Sequence, residues 1–246
     1  MSSKVGTMQR NNVSKVIGIQ FSILSPEEIR KGSVAEITSK ETYVNGKPVI
    51  SGPFDPRMGV LEAGLICPTD GHNYMTTPGY FGHIELARPV FYVQYLNTIQ
   101  KILRCVCFKC SKLLISKDKY KQALKMQNQQ RWGYVSDLCK NIKRCGEDSD
   151  NGCGCLQPKK IKKEGMASLF AEWTNASDDG DENIVIPLIP ELVLKIFKRI
   201  SDEDVTFMGF SPIWSRPDWM ICQVMAVPPP AVRPSVKHDA QQRSED

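Results

Sequence analysis

The amino-acid sequence predicts an α+β fold in which helices and short antiparallel strands are braced by a metal ion. Alternating apolar and polar residues on either side of the turn dipeptide Asn45-Gly46 predict a β-hairpin. The stretch 186–201 repeats apolar residues at helical spacing. Cysteines cluster in two short segments, 105–110 and 139–155. A chain of 246 residues can bury an apolar core as one large domain or two smaller ones.

The first quarter of the chain combines an arm, a strand, a helix and a hairpin. Residues 1–15 are polar and read as a flexible arm, whereas 16–24 alternates like a half-buried strand. Ser25, followed by proline and two acids, predicts the start of a short helix that ends at Gly32. The Asn45-Gly46 turn follows, and then a loop rich in proline and glycine at 51–59.

The middle of the chain is predicted to be helical around the first cysteines. A helix of about four turns begins at Pro89 and runs to Cys105. A second helical segment, rich in lysine and glutamine, covers 118–142 and lies at the surface. The stretch 165–175 is predicted to be a strand or hairpin arm.

The last quarter begins with the clearest helix, at 186–201, and a shorter capped helix at 201–210 follows it. The apolar run at 217–227 predicts a fully buried strand. The proline-rich stretch 228–234 predicts a stiff extended segment.

Composition excludes several classes of protein. Hydrophobic residues make up 41% and charged residues 24%, which is incompatible with general disorder. A net charge of +5 is compatible with a nucleic-acid or acidic partner without indicating one. No stretch approaches the ~20 apolar residues of a membrane span, and the start lacks a secretory signal, so we expect an intracellular protein that contacts no membrane.

The nine cysteines favour a zinc site over the alternatives. Cys107 and Cys110 have the CxxC spacing that lets two thiolates point at one ion. Buried free thiols and a redox pair are the competing interpretations, and two cysteine-rich segments in an intracellular chain favour metal. Cys105 is expected in helix packing and Cys222 in the core. The spacing leaves the second pair of ligands open among Cys139, Cys145, Cys153 and Cys155.

Other residues that could bind metal or take part in catalysis make weaker cases for a functional site. Cys67, His72 and His83 have irregular spacing and form a poor metal site. The acidic stretch 177–182 lacks the spacing of a calcium loop and is predicted to be a solvated loop. Neither a phosphate-binding glycine loop nor a nucleophile motif occurs, so we predict no catalytic residue in this chain.

Several strings, in order, resemble the N-terminal portion of the largest subunit of eukaryotic-type multisubunit RNA polymerase. They are "DPRMG", "PGYFGHIELARPVF", "CVCFKCSKLLI", "GCGCLQP" and "FSPIWSRPDWMICQVMAVPPPAVRPSV". The resemblance covers about residues 16–243 and suits a divergent copy such as those of large DNA viruses. It implies an irregular, zinc-braced clamp core and clamp head.

The resemblance also implies which residues bind metal. The family has a second zinc site, of which this chain keeps only Cys67; Asp70, Thr77 and Tyr80 occupy the other positions. That site is therefore expected to be lost, with the turn held by packing of Tyr80 and Phe81. One structural zinc ion per chain is implied, with ligands Cys107, Cys110, Cys145 and Cys153.

As a function, the resemblance implies the clamp of a DNA-directed RNA polymerase, which holds template DNA and the RNA–DNA hybrid. The partners would be DNA, the hybrid, the second-largest subunit and the other polymerase subunits. The magnesium-binding aspartate motif, NADFDGD, is absent from this chain, so magnesium would belong to a part of the enzyme outside it. Phosphate contact is predicted for Lys159, Lys160, Lys162 and Lys163, for which a solvated basic surface is an equal alternative.

Domain limits and location follow from the same resemblance. A free-standing zinc-binding interaction protein, or a split-gene fragment that binds polymerase partners, is the alternative function; the polar end "QQRSED" favours a fragment or split subunit. A cellular protein would be nuclear, and a viral one would lie in host cytoplasm or virion.

The predicted division is an arm at 1–15, clamp core at 16–104, clamp head with zinc at 105–185, a return to the core at 186–236 and a polar truncated end at 237–246.

Overall fold

The computed structural model describes residues 15, 17–149, 151–177, 180–234, 236–237 and 244–245, with side chains outside 175–183 and up to 234. As predicted, helices are mixed with short antiparallel strands, and the described strands do not close into a barrel. The helices are α1 (Pro26–Gly32), α2 (Leu96–Cys105), α3 (Asn128–Cys139), α4 (Pro190–Lys198) and α5 (Asp202–Phe207). The strands are β1 (Tyr43–Val44), β2 (Lys47–Pro48), β3 (Gly82–Phe91), β4 (Lys160–Glu164), β5 (Ser168–Ser177), β6 (Gly180–Pro187), β7 (Ile221–Val227), β8 (Val236–Lys237) and β9 (Ser244–Glu245).

Strands β3 and β7 pair with each other although they lie far apart in the sequence. They pair antiparallel, with Gly82 opposite Val227 and Phe91 opposite Ile221. Helices α1 and α4 pack against this pair. Segments separated by more than a hundred residues are thereby fixed to one another, which leaves the region between them as an insertion.

That insertion contains α2, α3 and a second sheet in the order β4-β5-β6. The sheet is antiparallel. Its buried side chains include Ile161, Leu169 and Ala171, which lie in the same apolar cluster as α2. The Gln100 side-chain amide of α2 donates to the Ile161 carbonyl at 2.5 Å. The sheet and α2 are therefore one packed unit.

A single apolar cluster connects α2, the second sheet and α4. The α2 side chains Leu96, Ile99 and Ile102 are fully buried, and Phe197 of α4 lies in the same cluster. Burying a side chain of this size contributes about 1.5–3 kcal/mol. Helix α2 is therefore firmly packed, and the pair Cys107 and Cys110 follows directly after its last residue.

Local sequence signals placed several elements correctly. Ser25 caps α1 in a capping box with Glu28, and Ser201 accepts a hydrogen bond from the Asp204 amide at the start of α5. Asn45 and Gly46 have φ angles of 51° and 70° and join β1 to β2. These features depend on residues close in sequence, which is why the pattern predicts them.

The predicted half-buried strand at 16–24 is wrong over the residues described. Ile17, Ile19 and Phe21 have exposed fractions of 98%, 83% and 89%, and no strand is formed over 17–24. The Ile23 amide donates to the Trp214 carbonyl at 2.9 Å, which ties down only the end of the segment. Alternation makes a strand only where a neighbouring strand supplies hydrogen bonds.

The predicted helix that starts at Pro89 begins too early. Pro89 lies inside β3, where the register with β7 is irregular between Glu85 and Val90, and α2 starts at Leu96 after a 3₁₀ turn. An irregular register tolerates a residue without an amide hydrogen. The pairing with β7 thus overrides the helical spacing of the first apolar residues.

Three other boundaries also differ. The predicted helix at 118–142 is divided into a 3₁₀ segment, Lys121–Lys125, and α3. The helix predicted at 186–201 begins at Pro190, because 186–187 completes β6. Strand β6 also takes up the end of the acidic stretch predicted as a loop, of which residues 178–179 lie outside the described residues.

The C-terminal strand and tail are also less regular than predicted. Residues 217–220 form a 3₁₀ turn, and β7 begins at Ile221. The Met225 side chain is exposed, so β7 is not fully buried. The proline-rich stretch contains a 3₁₀ turn at Pro230–Val232, so it is not extended throughout.

Candidate metal centre

The first cysteine pair lies in a tight turn just after α2. The Cys107 amide donates to the Lys112 carbonyl at 2.9 Å, and the Ser111 amide donates to the Cys107 carbonyl at the same distance. Ser111 has a φ of 60°, which lets the chain reverse immediately after Cys110. The turn points both thiols to the same side.

The second pair comes from the loop between α3 and β4. The Cys145 amide donates to the Cys155 carbonyl at 3.0 Å, and the Gly154 amide donates to the Cys145 carbonyl at 2.9 Å. Gly146 and Gly152 touch through their backbones, and a Cβ built on Gly152 would lie well inside 3.0 Å of Gly146. This close contact closes the loop and brings Cys153 back to Cys145.

The four sulfur atoms have the spacing of a tetrahedral metal site. Cys107 Sγ lies 3.5 Å from Cys153 Sγ, and Cys110 Sγ lies 3.6 Å from Cys145 Sγ. All four sulfurs lie within 4.8 Å of one another. Zinc–sulfur bonds of about 2.3 Å in a tetrahedron require sulfurs about 3.8 Å apart. Four soft ligands at this spacing fit a structural zinc ion, and no other group of potential ligands among the described residues comes as close together.

Burial and hydrogen bonding act in opposite directions on the pKa of the Cys107 thiol, whereas burial dominates at Cys110 and Cys145. Burial opposes ionisation of Cys107, but backbone amides, including those of Cys110 and Lys109, lower its pKa to about 7. Burial raises the pKa of Cys145 to about 12 and also raises that of Cys110. A metal binds thiolates, so the ion would supply the positive charge that the buried set needs.

Gln157 supports this centre and was missed by sequence reasoning. Its side-chain amide donates to Cys107 Sγ at 3.3 Å and to the Cys155 carbonyl at 2.9 Å, while its Oε1 accepts from the Phe108 amide at 3.2 Å. Gln157 is itself buried. One side chain therefore connects both cysteine turns, and nothing in its local sequence signals that role.

The other cysteines do not complete this group of four. Cys105, Cys139 and Cys222 are buried, and Cys155 is half-buried beside the cluster. Cys105 and Cys222 thus lie in the packed interior where the sequence placed them. The structure selects the same four cysteines that the resemblance implied, from the alternatives that spacing alone left open.

The loop at 67–80 is organised by a carboxylate. Asp70 Oδ2 accepts hydrogen bonds from the hydroxyls of Thr77 at 2.8 Å and Tyr80 at 3.2 Å. Asp70 Oδ1 accepts from the His72 amide at 2.9 Å. These contacts join three of the four positions at which the resemblance implies zinc ligands in the family.

The expectation that packing of Tyr80 and Phe81 holds this turn is wrong for Phe81. Phe81 is exposed, and Tyr80 acts through its hydroxyl rather than through its ring alone. His83 is directed elsewhere, because its Nδ1 lies 2.7 Å from Ser33 Oγ. Hydrogen bonding to Asp70 therefore holds this turn through the hydroxyls of Thr77 and Tyr80.

Replacing Asp70 with asparagine should remove a pH-dependent part of the stability. Burial disfavours the charged carboxylate, but the bonds from His72, Thr77, Cys67 and Tyr80 lower its pKa from 3.8 to about 2. A lowered folded-state pKa gives stability that is complete above the unfolded pKa and disappears as pH falls through the folded pKa. Urea unfolding should therefore show a difference between wild type and Asp70→Asn that is constant above about pH 4 and shrinks toward pH 2. A difference that stays constant down to pH 2 would contradict this role of Asp70.

The four lysines predicted to contact phosphate are divided between two faces, with Lys163 on the opposite face of β4 from Lys160 and Lys162. Lys160, Lys162 and Lys163 lie on β4, where alternation places neighbouring side chains on opposite faces. Lys162 Nζ lies 2.8 Å from a carboxylate oxygen of Glu172. Lys159 precedes the strand and lines a separate depression.

This fold and centre define a class: an α+β scaffold in which four cysteines, from two turns, form a structural metal centre. Comparison of the sequence with models of known protein families identifies the family to which this class belongs. Residues 13–246 match the family described as RNA polymerase Rpb1, domain 1, and the chain belongs to this family, the N-terminal region of the largest RNA polymerase subunit. Among the described residues, no helix has the length and apolar character required to cross a membrane.

Proposed function

We propose that this chain is the clamp portion of the largest subunit of a DNA-directed RNA polymerase and holds template DNA and the RNA–DNA hybrid during transcription. The observation that carries the proposal is the four-thiol centre, found in a chain of this family. The division into a clamp core at 16–104 and 186–236 and a head at 105–185 is part of the proposal. The β3–β7 pairing supports it, because this pairing leaves the intervening region as an insertion.

The centre would act by holding the head rigid. A zinc ion bound to Cys107, Cys110, Cys145 and Cys153 would join turns that lie some 35 residues apart, as the contact between Cys110 and Cys145 shows. A rigid body can open and close on a hinge without losing its internal shape. The nucleotidyl transfer itself, with its magnesium ion, would be carried out by other parts of the enzyme.

Metal analysis gives a direct test of the proposed centre. We expect one zinc per chain in purified protein, because only one group of described residues brings four thiols together. Cys145→Ser should remove that zinc, and Cys67→Ser should leave it in place. Two equivalents of zinc would contradict the proposal, as would one equivalent that persists in Cys145→Ser.

Co-purification distinguishes the clamp from the alternative of a free-standing zinc-binding interaction protein. A clamp should co-purify with the second-largest subunit and the catalytic remainder of the largest subunit as an enzyme that makes RNA. A free-standing protein would bind polymerase partners without being part of an active enzyme. An active polymerase from which this chain is absent would contradict the proposed function.

The exposed segment at 17–24 supports assembly with other subunits. Ile19 and Phe21 are large apolar side chains almost fully in water, a state that association would relieve. We expect Phe21→Asp to reduce co-purification with the second-largest subunit at least about tenfold, because burying a charge is costly. Its thermal unfolding alone should be unchanged, since Phe21 is exposed in the chain itself.

A matched control comes from an exposed apolar residue that lies far from the 17–24 segment in the sequence. Met166 is exposed in the turn between β4 and β5. Met166→Asp introduces the same charge and should leave co-purification intact. Equal losses for Phe21→Asp and Met166→Asp would show that added charge, rather than the 17–24 segment, weakens assembly.

A further inference from the structure

The loop that carries Cys145 also carries basic residues in a fixed register. Besides the hydrogen bonds of Cys145 with Cys155 and Gly154, the Gln157 amide donates to the Lys143 carbonyl at 2.8 Å. Arg144 and Leu156 form an antiparallel bridge between the same two chain segments. Next, the Lys159 amide donates to the Glu172 carbonyl of β5 at 2.8 Å. The backbones of Lys143 and Lys159 are thus held to the metal turn and to the sheet.

Two adjoining depressions open along this pair of segments. Their volumes are about 570 and 380 Å³, and both are lined by Lys143 and Leu156. Arg144 lines the larger one, while Lys140 and Lys159 line the smaller one. We call the two together the basic cleft. It contains four cationic side chains.

The charge of the basic cleft is only partly neutralised. Lys140 Nζ lies 2.5 Å from Asp137, and Glu147 Oε2 accepts from the backbone amides of Lys143 and Arg144. Among the described residues, neither Lys143 nor Lys159 has a carboxylate within 4.0 Å. An anion entering the cleft would therefore meet two cations that no carboxylate pairs with directly, while Glu147, which lines the larger depression, and Glu172 act on them at longer range.

We infer that the basic cleft binds the sugar–phosphate backbone of a nucleic acid through Lys143 and Lys159. Lysines that are fixed through their backbones and have free ammonium groups suit phosphate contact without base recognition. The inference rests on the proposed function, in which this domain faces nucleic acid. It moves the main contact away from β4, where the Glu172 carboxylate pairs directly with Lys162 and where Lys163 lies on the opposite face from Lys160.

Salt-dependent DNA binding tests the cleft. The chain of 246 residues, loaded with zinc, is titrated with duplex DNA of mixed sequence over a range of salt concentrations. Each phosphate contact contributes about 0.9 to the slope of log affinity against log salt. Lys143→Gln with Lys159→Gln should reduce that slope by about 2. Two charge-matched pairs serve as controls: Lys160→Gln with Lys163→Gln on β4, and Lys125→Gln with Lys195→Gln elsewhere on the surface.

The outcomes separate the cleft from the wider function. A slope reduced in the cleft variant alone, with one zinc retained, supports the inference. A slope reduced only in the β4 variant would overturn the cleft and leave nucleic-acid binding by the domain in place. Failure of the unsubstituted, zinc-loaded chain to bind duplex DNA would overturn both. Equal loss of binding to poly-glutamate would overturn the assignment to nucleic acid and indicate an acidic protein partner.

Discussion

Cys110→Ser should abolish stoichiometric zinc binding and loosen the region around both cysteine turns. Cys110 and Cys145 are 3.6 Å apart, so the substitution removes one of four thiolates from a compact set. In small zinc-folded peptides the ion contributes an apparent ~10–16 kcal/mol, so a variant that binds no zinc loses a contribution of up to about this size. A loss of this size is comparable to the whole stability of many domains.

Hydrogen exchange shows where that stability is lost. In Cys110→Ser the amides of Cys107 and Cys145, which close the two turns, should exchange first. Amides of β7 and near Trp219 should respond later, because they belong to the β3–β7 pair rather than to the cysteine turns. Earlier exchange near Trp219 would mean that the metal does not brace the predicted head.

Cys155→Ser is the matched control. Cys155 is half-buried and adjoins the cluster without belonging to the four closely spaced thiols. The variant should keep one zinc and the exchange pattern of the wild type. If Cys155→Ser lost zinc as Cys110→Ser does, the assignment of the four ligands would be wrong.

Gly152→Ala should destabilise the chain by about 3 kcal/mol, the upper end of what overpacking costs. The added methyl would overlap the Cα and N atoms of Gly146, and neither backbone can swing away as a flexible side chain would. Separating the two glycines moves Cys153 from Cys145 and should weaken zinc binding. Urea unfolding and zinc competition with a chelator measure the two effects.

Gly133→Ala provides the contrast. Gly133 lies within α3, and a Cβ there has nothing within 4 Å. Because alanine is the better helix former, this variant should gain about 0.5–1 kcal/mol and keep its zinc. A loss in Gly133→Ala similar to that in Gly152→Ala would show that the cost does not come from contact with Gly146.

Sequence reasoning succeeded where the structure depends on residues that are close together in the chain. The CxxC turn is local, and the resemblance supplied Cys145 and Cys153 from an open choice of four. The caps at Ser25 and Ser201 and the Asn45-Gly46 turn are also local. Predicted helix boundaries were wrong where pairing with a distant strand competed with helical periodicity. Pro89, for example, was predicted to begin a helix but lies in β3, which pairs with β7.

The sequence by itself determined the class of elements, the family resemblance and the cysteines that could bind metal, because each depends on residue type and short-range order. Only the tertiary structure decided what surrounds them. Gln157 reaches both cysteine turns, Asp70 gathers the hydroxyls of Thr77 and Tyr80, and Lys143 and Lys159 line one depression. Hydrogen-bond partners and shared clefts depend on how distant segments pack, and no local pattern records that packing.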